Sequence, residues 1–377
     1  MTTDQPPQLE NSGRASTGVV WDGGRNVDLV HREVPAPGTG ELKIRVEASG
    51  LCGTDLHIAS GEYPLALPGV VIGHEFAGTI VEAGPGVAES LGVGDRVAVD
   101  PNIPCHTCSQ CHNARPHLCE NPEAIGVTRN GGLAEFAIVP AAQAYRVPEG
   151  LSTEAAALTE PLACALHAVD LAGLRPGATA LVLGAGPIGI LCTALLVAAG
   201  ASKVIVSEPN SNRRARVRDF GAEPVEPEAV SEADVVLECV GRVETMKAAV
   251  EAVRPGGTVV WVGVASPEAE VGIKPYDVFR RELTIRGTYV NPFTMERSLA
   301  LLDSGRINWE TIVTHRFPLE NFEEAWAAQR EGAGLKICLQ PAGGILRDRR
   351  AYAGGGAGLR QQAAGRGAGE DASGARR

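Results

Sequence analysis

The sequence predicts two joined architectures: a strand-rich, barrel-like β domain and an α/β domain built on a doubly wound parallel sheet. Three observations carry this expectation. From about residue 18 to 147, short runs of period-two alternation are punctuated by Gly and Pro. After Leu151 the texture changes to Ala- and Leu-rich helical stretches. From residue 180 an apolar strand, a glycine-rich turn, a helix and a second strand follow one another, and strand-like runs then recur.

In chain order, residues 42–46, 76–81 and 96–99 read as strands of the first domain. Residues 180–183 form the first parallel strand, 184–189 the turn, 190–199 the helix and 203–207 the next strand. Further parallel strands are expected at 235–238, 258–262 and 283–286. From about Asp303 the chain is expected to rejoin the first domain and close with a strand at 335–339. The expected boundaries are 18–165 and 303–341 for the strand-rich domain and 166–302 for the parallel sheet. Residues 1–17 are polar, and 342–377 are dominated by Ala, Gly and Arg, so disorder is expected at both ends. Seven Arg against three acids in the final stretch leave open a second reading, an RNA- or partner-binding arm.

A chain of 377 residues supports two domains, each with its own core. A hydrophobic share of 44% with 21% charged residues is ordinary for a soluble globular protein. The net charge of −11 argues against nonspecific nucleic-acid binding, which needs clustered Lys and Arg. No apolar stretch opens the chain, so no signal peptide, anchor or membrane association is expected, and a cytoplasmic location follows by default.

The nine cysteines divide by spacing. Cys105, Cys108, Cys111 and Cys119 lie in a C-x2-C-x2-C-x7-C pattern, enough thiolates to complete a tetrahedral Zn²⁺ with no position left for substrate. That lobe is structural, and His106, His112 and His117 within it read as bystanders. Cys52, His74 and a nearby carboxylate give a mixed S/N/O set from separate stretches of chain, the arrangement that keeps one position open. Two zinc ions per chain are therefore expected. Cys164, Cys192, Cys239 and Cys338 lie in apolar runs and read as small buried hydrophobes, and no disulfide framework is expected.

Gly184-Ala-Gly186-Pro-Ile-Gly189 fits G-x-G-x-x-G in the required context, after an apolar strand and at the start of a helix. Gly184 permits the tight turn, Gly186 lets a pyrophosphate approach the backbone, and Gly189 allows close helix–strand packing. Glu208 ends the next strand, where it accepts hydrogen bonds from the adenosine ribose and repels a 2′-phosphate, favouring NAD. Arg213 and Arg214 follow and read as adenine-stacking groups, as phosphate contacts or as a solvated helix face. Ile188 in the turn and Val262, Gly263 and Val264 after a later strand complete the expected cofactor contacts.

With these constellations in place, the chain resembles the zinc-dependent medium-chain dehydrogenases, and within them the polyol (sorbitol) dehydrogenase-like branch. The motifs are Cys52-Gly-Thr-Asp-Leu-His57, Gly73-His-Glu-Phe-Ala-Gly78, the four-cysteine lobe, Gly131-Gly-Leu-Ala-Glu135, Glu160-Pro-Leu162 and the dinucleotide turn. The resemblance implies a GroES-like catalytic domain interrupted by a Rossmann domain, with the active site between them. It implies that Cys52 and His74 bind zinc and that, of Glu75 and Glu160, one binds metal while the other holds the water. Which does which stays open. It also implies a proton relay through Thr54 and His57.

The activity implied is NAD-dependent oxidation of a small-molecule secondary alcohol, a polyol, diol or cyclitol, to a ketone. A threonine or aminocyclitol dehydrogenase shares every ligand, and a noncatalytic dinucleotide-binding protein is a more remote alternative. The stretch Gly287-Thr-Tyr-Val-Asn-Pro-Phe293 lacks the arginine that animal sorbitol dehydrogenases carry there. Tyr289 and Asn291 are candidates for replacement contacts or for subunit-interface residues. Relatives are commonly homodimers or homotetramers joined through the Rossmann sheet, an edge expected from residues 258–262 and 283–286.

Overall fold

The computed structural model describes residues 15–24 and 26–341; the expected disorder of 342–377 and of most of 1–17 lies outside them. The parallel sheet has six strands in the order Glu223–Val225, Lys203–Ser207, Thr179–Leu183, Ala233–Glu238, Val253–Trp261 and Thr284–Gly287. Every pairing in it is parallel. In chain sequence this order is 3-2-1-4-5-6, the doubly wound Rossmann arrangement, whose order reverses beside the first strand. Val and Ile/Leu fill Thr179–Leu183, Lys203–Ser207 and Ala233–Glu238 because a central parallel strand is covered on both faces.

The strand-rich part is a seven-stranded sheet centred on Glu41–Gly50, which pairs antiparallel with Glu75–Ala83, Phe136–Pro140 and Lys336–Gln340. The last of these, paired in parallel with Val313–Pro318, is the expected return of the chain. A hairpin of Ala15–Trp21 and Val27–Glu33, without a clear alternation in sequence, forms its own two-stranded sheet. It is bridged to Val71 and Ala134.

Two expectations need correction. The helix after the glycine turn spans Pro187–Ala198, starting earlier than expected because Pro187 at its first position has the helical φ built in. The strand at 253–261 has neighbours on both sides, so of the two strands expected at the edge only Thr284–Gly287 lies there.

The largest apolar cluster crosses from one sheet to the other. It joins Ala48, Ala77 and Ala98 to Val182, Ile190 and Leu237 through the helix Thr159–Ala172. That helix is buried over most of its length, from Thr159 to Ala172, and ends at Gly173 with φ 62. Each fully buried aliphatic side chain contributes roughly 1.5–3 kcal/mol relative to exposure. The same helix carries Glu160 and Cys164, so burial of its apolar face fixes where those polar groups stand.

Candidate active site

Cys52 precedes the helix Gly53–Ala59 as its N-cap, and Asp55 Oδ2 accepts the Cys52 backbone N–H at 2.9 Å. The cap sets the cysteine at the helix start and leaves Asp55 wholly buried. Its other oxygen lies 3.5 Å from Nδ1 of His74, too long or poorly aligned for a formed hydrogen bond, since both atoms are unpartnered. A carboxylate on Nδ1 orients the ring and leaves Nε2 for a metal. His74 precedes the strand Glu75–Ala83, which holds Glu75 on the same side. One ligand atom each from Cys52, His74 and Glu75 lie within 4.8 Å of one another.

Charge at this point is unbalanced in favour of a cation. Burial opposes charge on His74, yet Asp55 and Cys52 outweigh it and hold the imidazole pKa well above its usual value. Burial, opposed by His74 and reinforced by Glu75, pushes the carboxyl of Glu160 up to about 7. Glu160 stands outside the mutual 4.8 Å group. The thiol of Cys164, one helical turn on, donates to Glu160 Oε1 at 3.4 Å. Cys164 is therefore no plain hydrophobic filler, which corrects the expectation from its apolar run. Sulfur, nitrogen and oxygen donors converging around a His74 whose buried Nδ1, like the facing Asp55 Oδ1, has no formed hydrogen bond fit zinc.

Thr54 Oγ1 lies 3.7 Å from Cys52 Sγ. His57, on the last turn of the same helix, is exposed, and its Nδ1 meets Glu62 at 2.8 Å. Thr54 thus stands at the metal-ligand group and His57 at the surface.

The four cysteines of the lobe also gather within 4.8 Å, and none of the neighbouring histidines joins them. Backbone N–H groups of Cys105, Glu120 and Asn121 point at their sulfurs at 3.2–3.5 Å. Hydrogen bonding from Thr107 lowers Cys105 to about 5, whereas burial and the neighbouring Cys108 push Cys111 up to about 12. All nine cysteines are free thiols.

At the dinucleotide turn Gly184 has φ 97, and a Cβ on Gly189 would stand 2.0 Å from the Gly184 carbonyl oxygen. A Cβ on Gly186 would meet nothing within 4 Å, leaving open space above the helix start. Glu208 is 5% exposed; its carboxylate accepts the Ala185 N–H at 2.8 Å and the Asn210 N–H at 2.9 Å. Arg214 is spent on the fold, bonding the Glu208 and Pro209 carbonyls and Glu226. Arg213 instead faces the cleft beside Gly332 and Gly334. Ile188 is half-buried, and the Val262 and Gly263 N–H groups donate to the Glu238 carbonyl, setting Val264 at the carboxyl ends of the strands.

A cleft is lined by Tyr63, Asn102, His117, Thr128, Tyr289 and Val290, and Tyr63 packs against the apolar cluster that holds Leu51 and Ile72, near neighbours in the chain of Cys52 and His74. Burial raises the Tyr63 phenol pKa, with Tyr289 and Cys52 acting in the same direction and His74 against it. Asn291 does not present a free amide to this cleft: it is 2% exposed and bonded to Asn102 and Asp100. Its candidacy as a substrate contact is corrected by that geometry.

Several site residues escaped sequence reasoning. Asp55 carried a signal, an acid three residues after the cap. Glu238 also escaped: it is wholly buried and accepts from Val240, Gly241 and Thr245. Lys336 is a single cation inside an apolar strand and bonds both oxygens of Glu75.

Comparison with known proteins matches residues 38–149 to the alcohol dehydrogenase GroES-like domain and 187–304 to the zinc-binding dehydrogenase domain. L-threonine 3-dehydrogenase of Thermococcus kodakarensis is 37% identical over 83% of this chain and 94% of its own length. D-arabinitol dehydrogenase 1 of Uromyces fabae is 34% identical over 86% and 97%. A solved zinc-binding dehydrogenase of Sinorhizobium meliloti, bound to NADP, superposes with a TM-score of 0.84 at 37% identity, covering 88% of this chain and 100% of that one. With its GroES-like sheet, its Rossmann sheet and these relatives, the chain belongs to the zinc-binding alcohol dehydrogenase family and is an enzyme of its polyol dehydrogenase-like group.

Proposed function

We propose that the enzyme oxidises a neutral secondary alcohol, a polyol, vicinal diol or cyclitol, to the ketone with NAD⁺ as hydride acceptor. The observation that carries this reading is the convergence of Cys52, His74 and Glu75 beside a buried Glu160. These residues would hold the catalytic zinc, with Cys52, His74 and Glu75 as ligands and Glu160 as the carboxyl that would hold its water. Zinc bound there supplies Lewis acidity, lowering the pKa of an alcohol or water by several units. The four-cysteine lobe would hold a second, structural zinc.

The chain's own groups orient the alcohol and move its proton. Tyr63, Thr128 and Tyr289 offer hydroxyl partners for a substrate's further hydroxyls. Thr54 takes the proton from the reacting hydroxyl and His57 passes it to solvent. The turn at Gly184–Gly189 and the carboxylate of Glu208 place the dinucleotide, and the reacting C–H gives hydride to the nicotinamide. Glu208 supports NAD over NADP, a choice that the NADP-bound relative makes worth testing.

The catalytic domain is assigned to 18–165 and 303–341 and the cofactor domain to 166–302. A homodimer or homotetramer through the Thr284–Gly287 edge is supported by the exposed Tyr276 and Phe279 beside it, 68% and 78% accessible. A cytoplasmic location suits nine free thiols, and among the described residues no helix is long and apolar enough to cross a membrane.

A second reading, oxidation of L-threonine, is favoured by the identity to the threonine dehydrogenases. NAD⁺ reduction rates on arabinitol, sorbitol, 2,3-butanediol, myo-inositol and L-threonine separate the two. The proposal expects turnover on a neutral member of the panel; turnover on threonine alone overturns it.

A further inference from the structure

Between the edge strand Thr284–Gly287 and the helix Met295–Asp303 the chain runs through Thr288-Tyr-Val-Asn-Pro-Phe-Thr294. Two residues there adopt left-handed backbone, Val290 at φ 47 and Phe293 at φ 58. A β-branched residue in that region is strained and persists only where its surroundings over-determine it. The residue between them that supplies such a constraint is Asn291.

Its amide closes a three-residue network. Asn102 Nδ2 donates to Asn291 Oδ1 at 2.6 Å, and Asn291 Nδ2 donates to Asp100 Oδ1 at 3.3 Å. The same Asp100 oxygen accepts the backbone N–H and the side-chain amide of Asn102, each at 3.0 Å. Asn102 is fixed in turn, because Gln143 Nε2 donates to its carbonyl at 2.5 Å. A second tie follows at Thr294, whose buried hydroxyl donates to the Ala163 carbonyl at 2.9 Å. The network therefore clamps the segment leaving the parallel sheet onto residues 100–102 next to the strand Arg96–Val99 of the barrel sheet.

What the clamp sets is the cleft. Tyr289 and Val290, immediately before Asn291, line it together with Tyr63 and Asn102. Tyr63 in turn packs against the apolar cluster that includes Leu51 and Ile72, close in the chain to Cys52 and His74, which ties the cleft to the metal-ligand group. Resting on the functional reading above, we propose that Asn291 is a positioning residue: through Asn102 and Asp100 it holds Tyr289 and Val290 where the alcohol binds, and thereby governs alcohol affinity. It does so without touching the alcohol.

The test uses N291A, N102A and the double variant of the full chain. Displacing cleft residues by a fraction of an ångström is expected to raise KM for the alcohol about tenfold while kcat and KM for NAD⁺ stay within about twofold. Because the two asparagines act as one unit, the double variant is expected to lose no more than either single one. Hydrogen exchange at the amides of residues 288–294 is expected to quicken about tenfold in N291A, with the strand Thr179–Leu183 unchanged. An unchanged alcohol KM, or additive losses, overturns the proposal. If the wild type oxidises no alcohol, the functional reading fails, and the exchange measurement alone decides the clamp: faster exchange supports it and unchanged exchange overturns it. N291S, a smaller change, takes the place of N291A if that variant does not fold.

Discussion

Lys336 meets both carboxylate oxygens of Glu75, at 2.8 and 2.5 Å, and the two side chains are 3% and 1% exposed. Its third hydrogen bond goes to the Leu51 carbonyl at 3.1 Å. Burial opposes the ammonium charge, but Glu75 first, then Cys52 and Glu160, outweigh it and hold the Lys336 pKa above the usual amine value. The pair places the returning strand Lys336–Gln340 directly behind the metal-ligand group. Removing one partner leaves the other charged and unpaired in the interior. K336M is therefore expected to lose about 3–5 kcal/mol of stability, read by urea titration, whereas K336R keeps most of it.

Glu208 secures the glycine turn by accepting the Ala185 and Asn210 N–H groups. E208A is expected to lower kcat/KM for NAD⁺ by about ten- to a hundredfold, the cost of roughly 1.5–3 kcal/mol for a lost charge-assisted hydrogen bond. With the repelling carboxylate gone, NADP⁺ is expected to lose less, so the NADP/NAD ratio rises. Initial-rate kinetics with both cofactors check it.

The burial that lifts Glu160 to about 7 makes a pH-dependent contribution in chelator-stripped enzyme. A carboxyl whose folded pKa is raised keeps its proton in the folded chain where the unfolded chain has already released it. Stability therefore falls as pH rises from the ordinary carboxyl range toward 7. E160Q, which cannot ionise, is expected to flatten that fall between about pH 5 and 7 in thermal melts of the stripped protein.

The relay is checked at His57. H57A is expected to lower kcat by about tenfold near neutral pH and to recover as the pH rises and solvent hydroxide takes the proton instead. A loss that is equal at every pH would assign His57 to structure.

How legible the site was in the sequence depended on distance along the chain. The four-cysteine lobe occupies fifteen residues and the glycine turn six, so spacing alone exposed them. Strand 203–207 was read to the residue because a buried parallel strand is a continuous apolar run. The hairpin at Ala15–Trp21 and Val27–Glu33 lacked such a pattern, its second strand being half exposed. Lys336 and Glu75 are 261 residues apart, and Asn102 and Asn291 are 189 apart. Only the return of the chain and the packing of Thr159–Ala172 bring such pairs together, and no local spacing encodes them.

Zinc content of wild type and C52S, measured on samples whose NAD⁺ reduction is followed in parallel, tests the open metal site most directly. Wild type is expected to hold about two zinc ions per chain and C52S about one, with turnover lost and the four-cysteine lobe still loaded. Wild type with a single zinc, or C52S retaining both zinc ions and activity, would contradict the assignment of Cys52, His74 and Glu75 to the catalytic metal.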